Sequence, residues 1–225
     1  TVVLPETVAR EKLEKIKALG VKIILHSNDS GVAEQHAQKL AKEQGKIYVS
    51  PYNDPQIIAG QGTLAIELLD QLPRLDVVYV SIGGGGLISG IGCVLKAFSP
   101  KTRVVGVSAK NSAELAASIR AGKMVKVDHY ETLADGCAGG VDNDTITLGL
   151  GSEVIDDLID CSEGQIEVGL QQIAWNEKML VEGSAGLAYA AWQEDASNNK
   201  NKISAVVLCG ANFDKETLSP IFNRD

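Results

Sequence analysis

Short runs of apolar residues alternate along the chain with longer stretches in which apolar residues recur every three or four positions. That succession of periods predicts an α/β fold, an open, mostly parallel sheet covered by helices. Residues 2–4 read as a strand, and Leu13, Ile16 and Leu19 then give helical spacing that Gly20 terminates. Residues 21–25 are strand-like, 32–44 are helical with Gly45 as the stop, and 47–49 form a short strand. After Pro51 and Pro55 the pattern predicts a helix over 57–72, a strand over 76–82, a helix over 87–98 and a strand over 104–107. A helix over 113–121 gives way to a Gly- and Asp-rich stretch, 134–151, without regular periodicity, which reads either as a site-forming loop or as a plain surface loop. Helical spacing resumes over 152–159, 164–180 and 184–195. The polar run 194–202 reads as a solvated loop without chemistry, and 203–208 as a buried strand. That strand ends at Cys209-Gly210, on the carboxyl edge where ligands of open α/β sheets collect. The proline-marked polar stretch 50–55 is the expected crossing between two domains, 1–52 and 53–225.

Four consecutive glycines, Gly83, Gly84, Gly85 and Gly86, followed by Leu87, stand between the predicted strand at 76–82 and the helix after it. Residues without side chains let the backbone approach a ligand and adopt dihedrals closed to other residues. The start of the helix adds unpaired N–H groups and a partial positive charge. A turn with no ligand needs one or two glycines, so four in a row predict a phosphate cradle. It is not a dinucleotide fingerprint, because counting from Gly83 or Gly84 places Ile88 or Ser89 at the third glycine position. The next strand also runs into Ser108-Ala109-Lys110 without an acidic residue for a ribose. No G-K-[ST] follows, which removes a nucleoside triphosphate. A small phosphorylated cofactor remains.

At 225 residues and 44% hydrophobic, the chain has material for a sizeable core. The net charge of −8, with basic residues dispersed among acidic ones, argues against a nucleic-acid partner. No apolar run approaches the roughly 20 residues that span a bilayer, and no signal segment opens the chain, so a cytoplasmic protein with no membrane partner is expected. Cys93, Cys137, Cys161 and Cys209 lie far apart with no C-x-x-C pair, which suggests neither zinc nor a disulfide framework. His26, His36 and His129 are isolated and read as structural or solvated.

Five blocks together carry a resemblance. They are Pro51-Tyr52-Asn53-Asp54-Pro55 with Gly60-Gln61-Gly62-Thr63, the run Gly83 to Leu87, Thr132-Leu133-Ala134-Asp135-Gly136-Cys137, Glu182-Gly183-Ser184-Ala185-Gly186, and Leu208-Cys209-Gly210-Ala211-Asn212. In this order and spacing the chain resembles the threonine/serine dehydratase and serine racemase family of pyridoxal-phosphate enzymes, over nearly its whole length. The resemblance implies the tryptophan-synthase-β-like fold type II, pyridoxal 5'-phosphate as cofactor, a small amino-acid substrate and a homo-oligomer, dimer or tetramer. It implies a dehydratase giving a 2-oxo acid and ammonia, with serine racemase or 3-hydroxyaspartate dehydratase as alternatives within the family.

By the same resemblance, Gly83 to Leu87 hold the cofactor phosphate and Cys209 meets the ring nitrogen. Gly136 lines the ring, and Glu182 and Asn53 lie near the cofactor. A weakly polar partner such as Cys leaves the ring nitrogen largely unprotonated, which suits β-elimination. Ser184 reads as an N-cap before an apolar helix. The family's S-x-K-x-R-G segment, with its Schiff-base lysine, and its S-[AS]-G-N-H segment do not occur here. The expectation is therefore a chain that begins partway through the smaller domain, with no catalytic residue of its own and with Lys110 and Lys123 solvated. A non-catalytic domain that binds phosphate or a partner is the other reading. The family's cation positions correspond to Ser108, Ser112 and Glu114. With a hydroxyl where the first carboxylate should be, no metal site is expected.

Overall fold

A computed structural model describes residues 1–222, in which the chain divides into two units. One comprises Thr1–Ser50 with the stretch from Asn212 onward, the other Pro51–Ala211. In the first, β1 (Val2–Leu4) is followed by α1 (Arg10–Ala18), β2 (Ile23–Leu25) and α2 (Ser30–Glu43). The two strands pair in parallel, with Val2 opposite Ile23 and Leu4 opposite Leu25. Position 9, before α1, is an alanine and offers no side-chain cap. The Asp214 carboxylate takes that role by accepting the N–H groups of Arg10 at 3.2 Å and Glu11 at 3.0 Å. For α2 the cap is local, Asp29 accepting from Val32 N at 3.0 Å. Residues 47–49, expected as a strand, have no regular structure, and Ile47 is 91% exposed. An apolar triplet becomes a strand only against a partner, and the described sheet of this unit has two strands.

The larger unit holds a four-stranded parallel sheet in the order β5-β4-β3-β6. After α3 (Pro55–Gln71) come β3 (Val77–Ser81), α4 (Gly86–Phe98), β4 (Arg103–Ala109) and α5 (Glu114–Ala121). They are followed by α6 (Ile146–Val154), β5 (Asp157–Cys161), α7 (Glu163–Gln172), α8 (Gly183–Glu194) and β6 (Ser204–Val206). Every residue of β3 is buried, as its continuous apolar run requires of a central parallel strand. Asp54 caps α3 by accepting from Gln56 N at 2.7 Å and Ile57 N at 3.2 Å, with Pro55 at its first turn. No helix among the described residues is long and apolar enough to cross a membrane.

Stretches of the larger unit also differ from the sequence expectation. The stretch 134–151 is not wholly irregular, because α6 starts inside it, capped by Thr145. The helix expected over 152–159 is the end of α6 followed by β5. This edge strand carries Asp157 and Asp160, paired with Arg103 at 2.9 Å and Arg120 at 2.7 Å, so its period is masked by charges that an edge tolerates. The polar run 194–202 is not merely solvated, since Asp195 is buried against Tyr79 and Arg103. α7 gives way to a π turn over Ile173–Glu177 and ends at Lys178, whose φ of 59° closes off further helix.

Candidate functional site

At the carboxyl end of β3 the last sheet bond is Ile82 N to Val107 O, 2.7 Å, after which the glycines carry the chain out of the sheet into α4. Gly85 adopts a φ of +85°, a conformation closed to most residues, and provides no side chain to cap α4. The N–H groups of Gly86, Leu87 and Ile88, in the first turn of α4, therefore face outward without acceptors inside the helix. The orientation of the turn is fixed from one side. Thr147 Oγ1, on α6, donates to the Gly84 carbonyl at 2.7 Å, and in a trans peptide the N–H of Gly85 points the opposite way. A β-carbon on Gly84 would fall 2.3 Å from Tyr52 Cγ, and one on Gly83 2.9 Å from Cys137 Cα. The glycines are thus packed against protein on one side and present N–H groups on the other.

Three further segments meet at this edge. A β-carbon on Gly136 would lie 3.2 Å from Glu182 Oε1 and 3.0 Å from Ser184 Oγ. One on Gly210 would lie 2.4 Å from Glu182 Oε2, and Glu182 N donates to Gly210 O at 3.1 Å. The Glu182 carboxylate is therefore wedged between Gly136 and Gly210, and Cys137 ties the same segment to Gly83. Loss of water around its sulfur pushes the Cys209 thiol up to about 12, with Cys137 and Glu182 raising it further, so the thiol holds its proton at neutral pH. Buried Ser184 Oγ has no hydrogen-bond partner. A buried hydroxyl left without a partner beside Gly136 suits a polar ligand.

The structure brings Gly83 to Leu87, Gly136, Glu182 and Cys209 together. The Asn53 amide donates to Asp142 at 3.3 Å and accepts from Ile146 N at 3.0 Å, which ties its segment to the start of α6 and the loop before it. Ser184 is not the N-cap of α8. Glu182 occupies that position and Ser184 is the second helical residue, because the chain enters α8 two residues earlier than the serine suggested. Tyr52 and Thr147 complete the site and escape sequence reading; for Tyr52 the signal is its place inside the Pro51–Pro55 block. Lys110 and Lys123 are both exposed.

A family profile described as pyridoxal-phosphate dependent enzyme matches residues 1–210. Among curated proteins, the L-threonine ammonia-lyase of Thermotoga maritima is 33% identical over 224 residues, which is 100% of this chain and 55% of that protein. The biosynthetic L-threonine dehydratase of Haemophilus influenzae is 32% identical over 225 residues, 99% of this chain and 44% of its own length. The chain thus spans about half the length of each. Among solved structures, the processed form of threonine deaminase isoform 2 from Solanum lycopersicum superposes with a TM-score of 0.86 at 28% identity, covering 96% of this chain and 64% of that one. Maize serine racemase gives 0.85 at 28%, covering 96% and 67%.

Proposed function

Because the chain belongs to the family of pyridoxal-phosphate dependent enzymes, we propose that the whole protein is a threonine or serine dehydratase that releases a 2-oxo acid and ammonia. The observation that supports this most directly is the meeting of Gly83 to Leu87, Gly136, Glu182 and Cys209 at one sheet edge. These residues fit the cofactor. A side-chain-free turn with free N–H groups suits a dianionic phosphate, and a neutral thiol and an unpaired buried hydroxyl suit its ring substituents. Once bound, pyridoxal phosphate supplies a conjugated ring that takes up electron density as Cα–H breaks and the β-hydroxyl leaves.

The chain's own residues then have separable tasks. The N–H groups of Gly85, Gly86 and Leu87 bind the phosphate, and Thr147 keeps the Gly84 carbonyl turned away from it. Cys209, keeping its proton, offers the ring nitrogen a weak partner and does not charge it. Glu182 stays fixed between two glycines, where only residues without β-carbons leave it room. No catalytic lysine is assigned within residues 1–225, and the isolated chain is proposed to bind the cofactor phosphate without turning over substrate. A homo-oligomer is proposed for the whole protein.

The test is calorimetric titration of the chain with pyridoxal phosphate and with pyridoxal, alongside assay of 2-oxo acid release from L-threonine and L-serine by the whole protein. Tight binding of the phosphorylated form only, with 2-oxo acid release, is the expected result. Absence of phosphate-dependent binding would remove the reading. Likeness to maize serine racemase favours racemisation as a second reading, which analysis of the enantiomers of recovered serine separates from elimination.

A further inference from the structure

Glu114, the first residue of α5, is a buried carboxylate held by three donors from two other segments. Oε1 accepts from Val141 N at 3.0 Å and from Lys126 Nζ at 3.1 Å, and Oε2 lies 3.0 Å from His129 Nε2. The second ring nitrogen of His129 lies 2.8 Å from Ser112 Oγ, which also accepts from Gly139 N at 3.0 Å. One arrangement of protons satisfies every contact. Ser112 accepts from Gly139 and donates to Nδ1, and Nε2–H donates to Glu114. Burial alone would push the Glu114 carboxyl up, but the Val141 N–H, His129 and Lys126 outweigh it and hold the group below the usual carboxylate range. Lys126 is 66% exposed while Glu114 is 2% exposed, so the ammonium reaches in from solvent as a counter-charge. The N–H group and the imidazole set the geometry.

Ser108, Ser112 and Glu114 are the positions at which the family resemblance places a cation, and they do not fit one here. A hard divalent ion takes six or more oxygen ligands, several of them charged with free lone pairs. Ser108 supplies only a hydroxyl. Both oxygens of Glu114 already face donors, one of which is a cation that repels a second. The residues so held belong to a strategic loop. Gly139 and Val141 follow Gly136 and Cys137, which border the glycine turn, and Asp142 N donates to the hydroxyl of Tyr52 at 2.8 Å, whose ring covers Gly84.

We infer that Glu114 is a positioning residue whose charge is balanced by Lys126 and whose geometry is set by the Val141 N–H and the neutral imidazole of His129, in place of a metal ion, and that this clasp holds the 136–142 loop against the glycine turn. The use made of the loop rests on the proposed function, whereas the clasp itself does not. The test combines metal analysis of the chain purified without chelator with hydrogen exchange at Gly139 and Val141. Exchange is followed with EDTA, with millimolar calcium or magnesium, and in the variants Lys126→Met/His129→Leu and Lys126→Arg.

The expected result is no stoichiometric metal, exchange unmoved by EDTA or added cation, and wild-type behaviour of Lys126→Arg. In the double variant, exchange at the two amides rises by about tenfold or more while β3 and β4 stay protected. Pyridoxal-phosphate affinity falls in the double variant and is retained in Lys126→Arg, a split that general destabilisation would not give. A retained stoichiometric metal, or faster exchange of the wild type in EDTA, would overturn the inference, and these two readouts stand even where the double variant fails to fold. Unchanged exchange in a folded double variant would overturn it as well. None of the exchange or metal measurements involves the cofactor, so failure of the clasp is distinguishable from failure of the proposed function.

Discussion

The ring of Tyr52 covers Gly84 so closely that a β-carbon at position 84 would fall 2.3 Å from Tyr52 Cγ. Even Gly84→Ala must therefore displace the ring, and with it the Asp142 N–H that its hydroxyl accepts at 2.8 Å. Overpacking of this kind costs about 1–3 kcal/mol. We predict a loss of stability in that range together with loss of phosphate and pyridoxal-phosphate binding, measured by urea denaturation and calorimetry. Wild-type cofactor affinity in a folded Gly84→Ala protein would place the phosphate elsewhere.

Thr147→Val keeps the shape of the side chain and removes one hydroxyl, which donates to Gly84 O at 2.7 Å and shares a contact with Thr145 Oγ1 at 2.7 Å. Loss of a hydrogen bond in this setting costs about 1 kcal/mol. The glycine turn then loses its fixed orientation, and cofactor affinity should fall by about fivefold, the equivalent of that energy. Pyridoxal without phosphate should bind equally to both proteins, which calorimetry can compare directly.

How much of this was legible in the sequence depends on the range of the interaction. The glycine turn is written locally, since strand, glycines and helix are consecutive, and the cap of α3 likewise lies within Asp54-Pro55. The wedge of Glu182 between Gly136 and Gly210 joins residues far apart in sequence, and only the resemblance of the five blocks pointed there. β5 reads as helix in the sequence because Asp157 and Asp160 interrupt its period at a charged sheet edge. Residues 47–49 read as strand because propensity does not reveal whether a partner exists. His129 reads as isolated because its partners Ser112 and Glu114 lie 17 and 15 residues earlier in the chain.

Tyr79 and Asp195 make the stability of the larger unit depend on pH at both extremes. Burial alone would raise the Asp195 carboxyl, but the Tyr79 hydroxyl, Asn198 and Arg103 outweigh it and hold it below the usual range. A depressed carboxyl stabilises the fold above its unfolded pKa, near 4, and that contribution is lost as pH falls through the native value. Burial and the Asp195 contact push Tyr79 up to about 12, so its contribution is complete below the unfolded value, about 10, and is lost as pH rises towards 12. Tyr79→Phe should lower stability at neutral pH by about 1–2 kcal/mol, through loss of hydrogen bonds to a charged network, and should flatten the alkaline limb. Denaturation midpoints followed across pH measure both. An alkaline limb identical in Tyr79→Phe would show that the titration lies elsewhere.

Cys209 and Cys93 are both exposed cysteines, yet they should react differently. Only the thiolate attacks an alkylating reagent, and a thiol raised from 9.0 to about 12 carries roughly a thousandfold less thiolate at neutral pH. Iodoacetamide should therefore label Cys93 first and Cys209 slowly, as read by peptide mass spectrometry over time. The crowding that raises the thiol comes from Cys137 and Glu182 as well as from lost water, so Glu182→Gln should lower the Cys209 pKa and speed its labelling while leaving Cys93 unchanged. Saturating pyridoxal phosphate should slow Cys209 further, because the proposed ring position covers its sulfur, whereas inorganic phosphate, filling the glycine turn alone, should not. Equal protection by both would mean that the ring does not reach the end of β6, and the assignment of Cys209 as the ring-nitrogen partner would fall while the phosphate cradle stood.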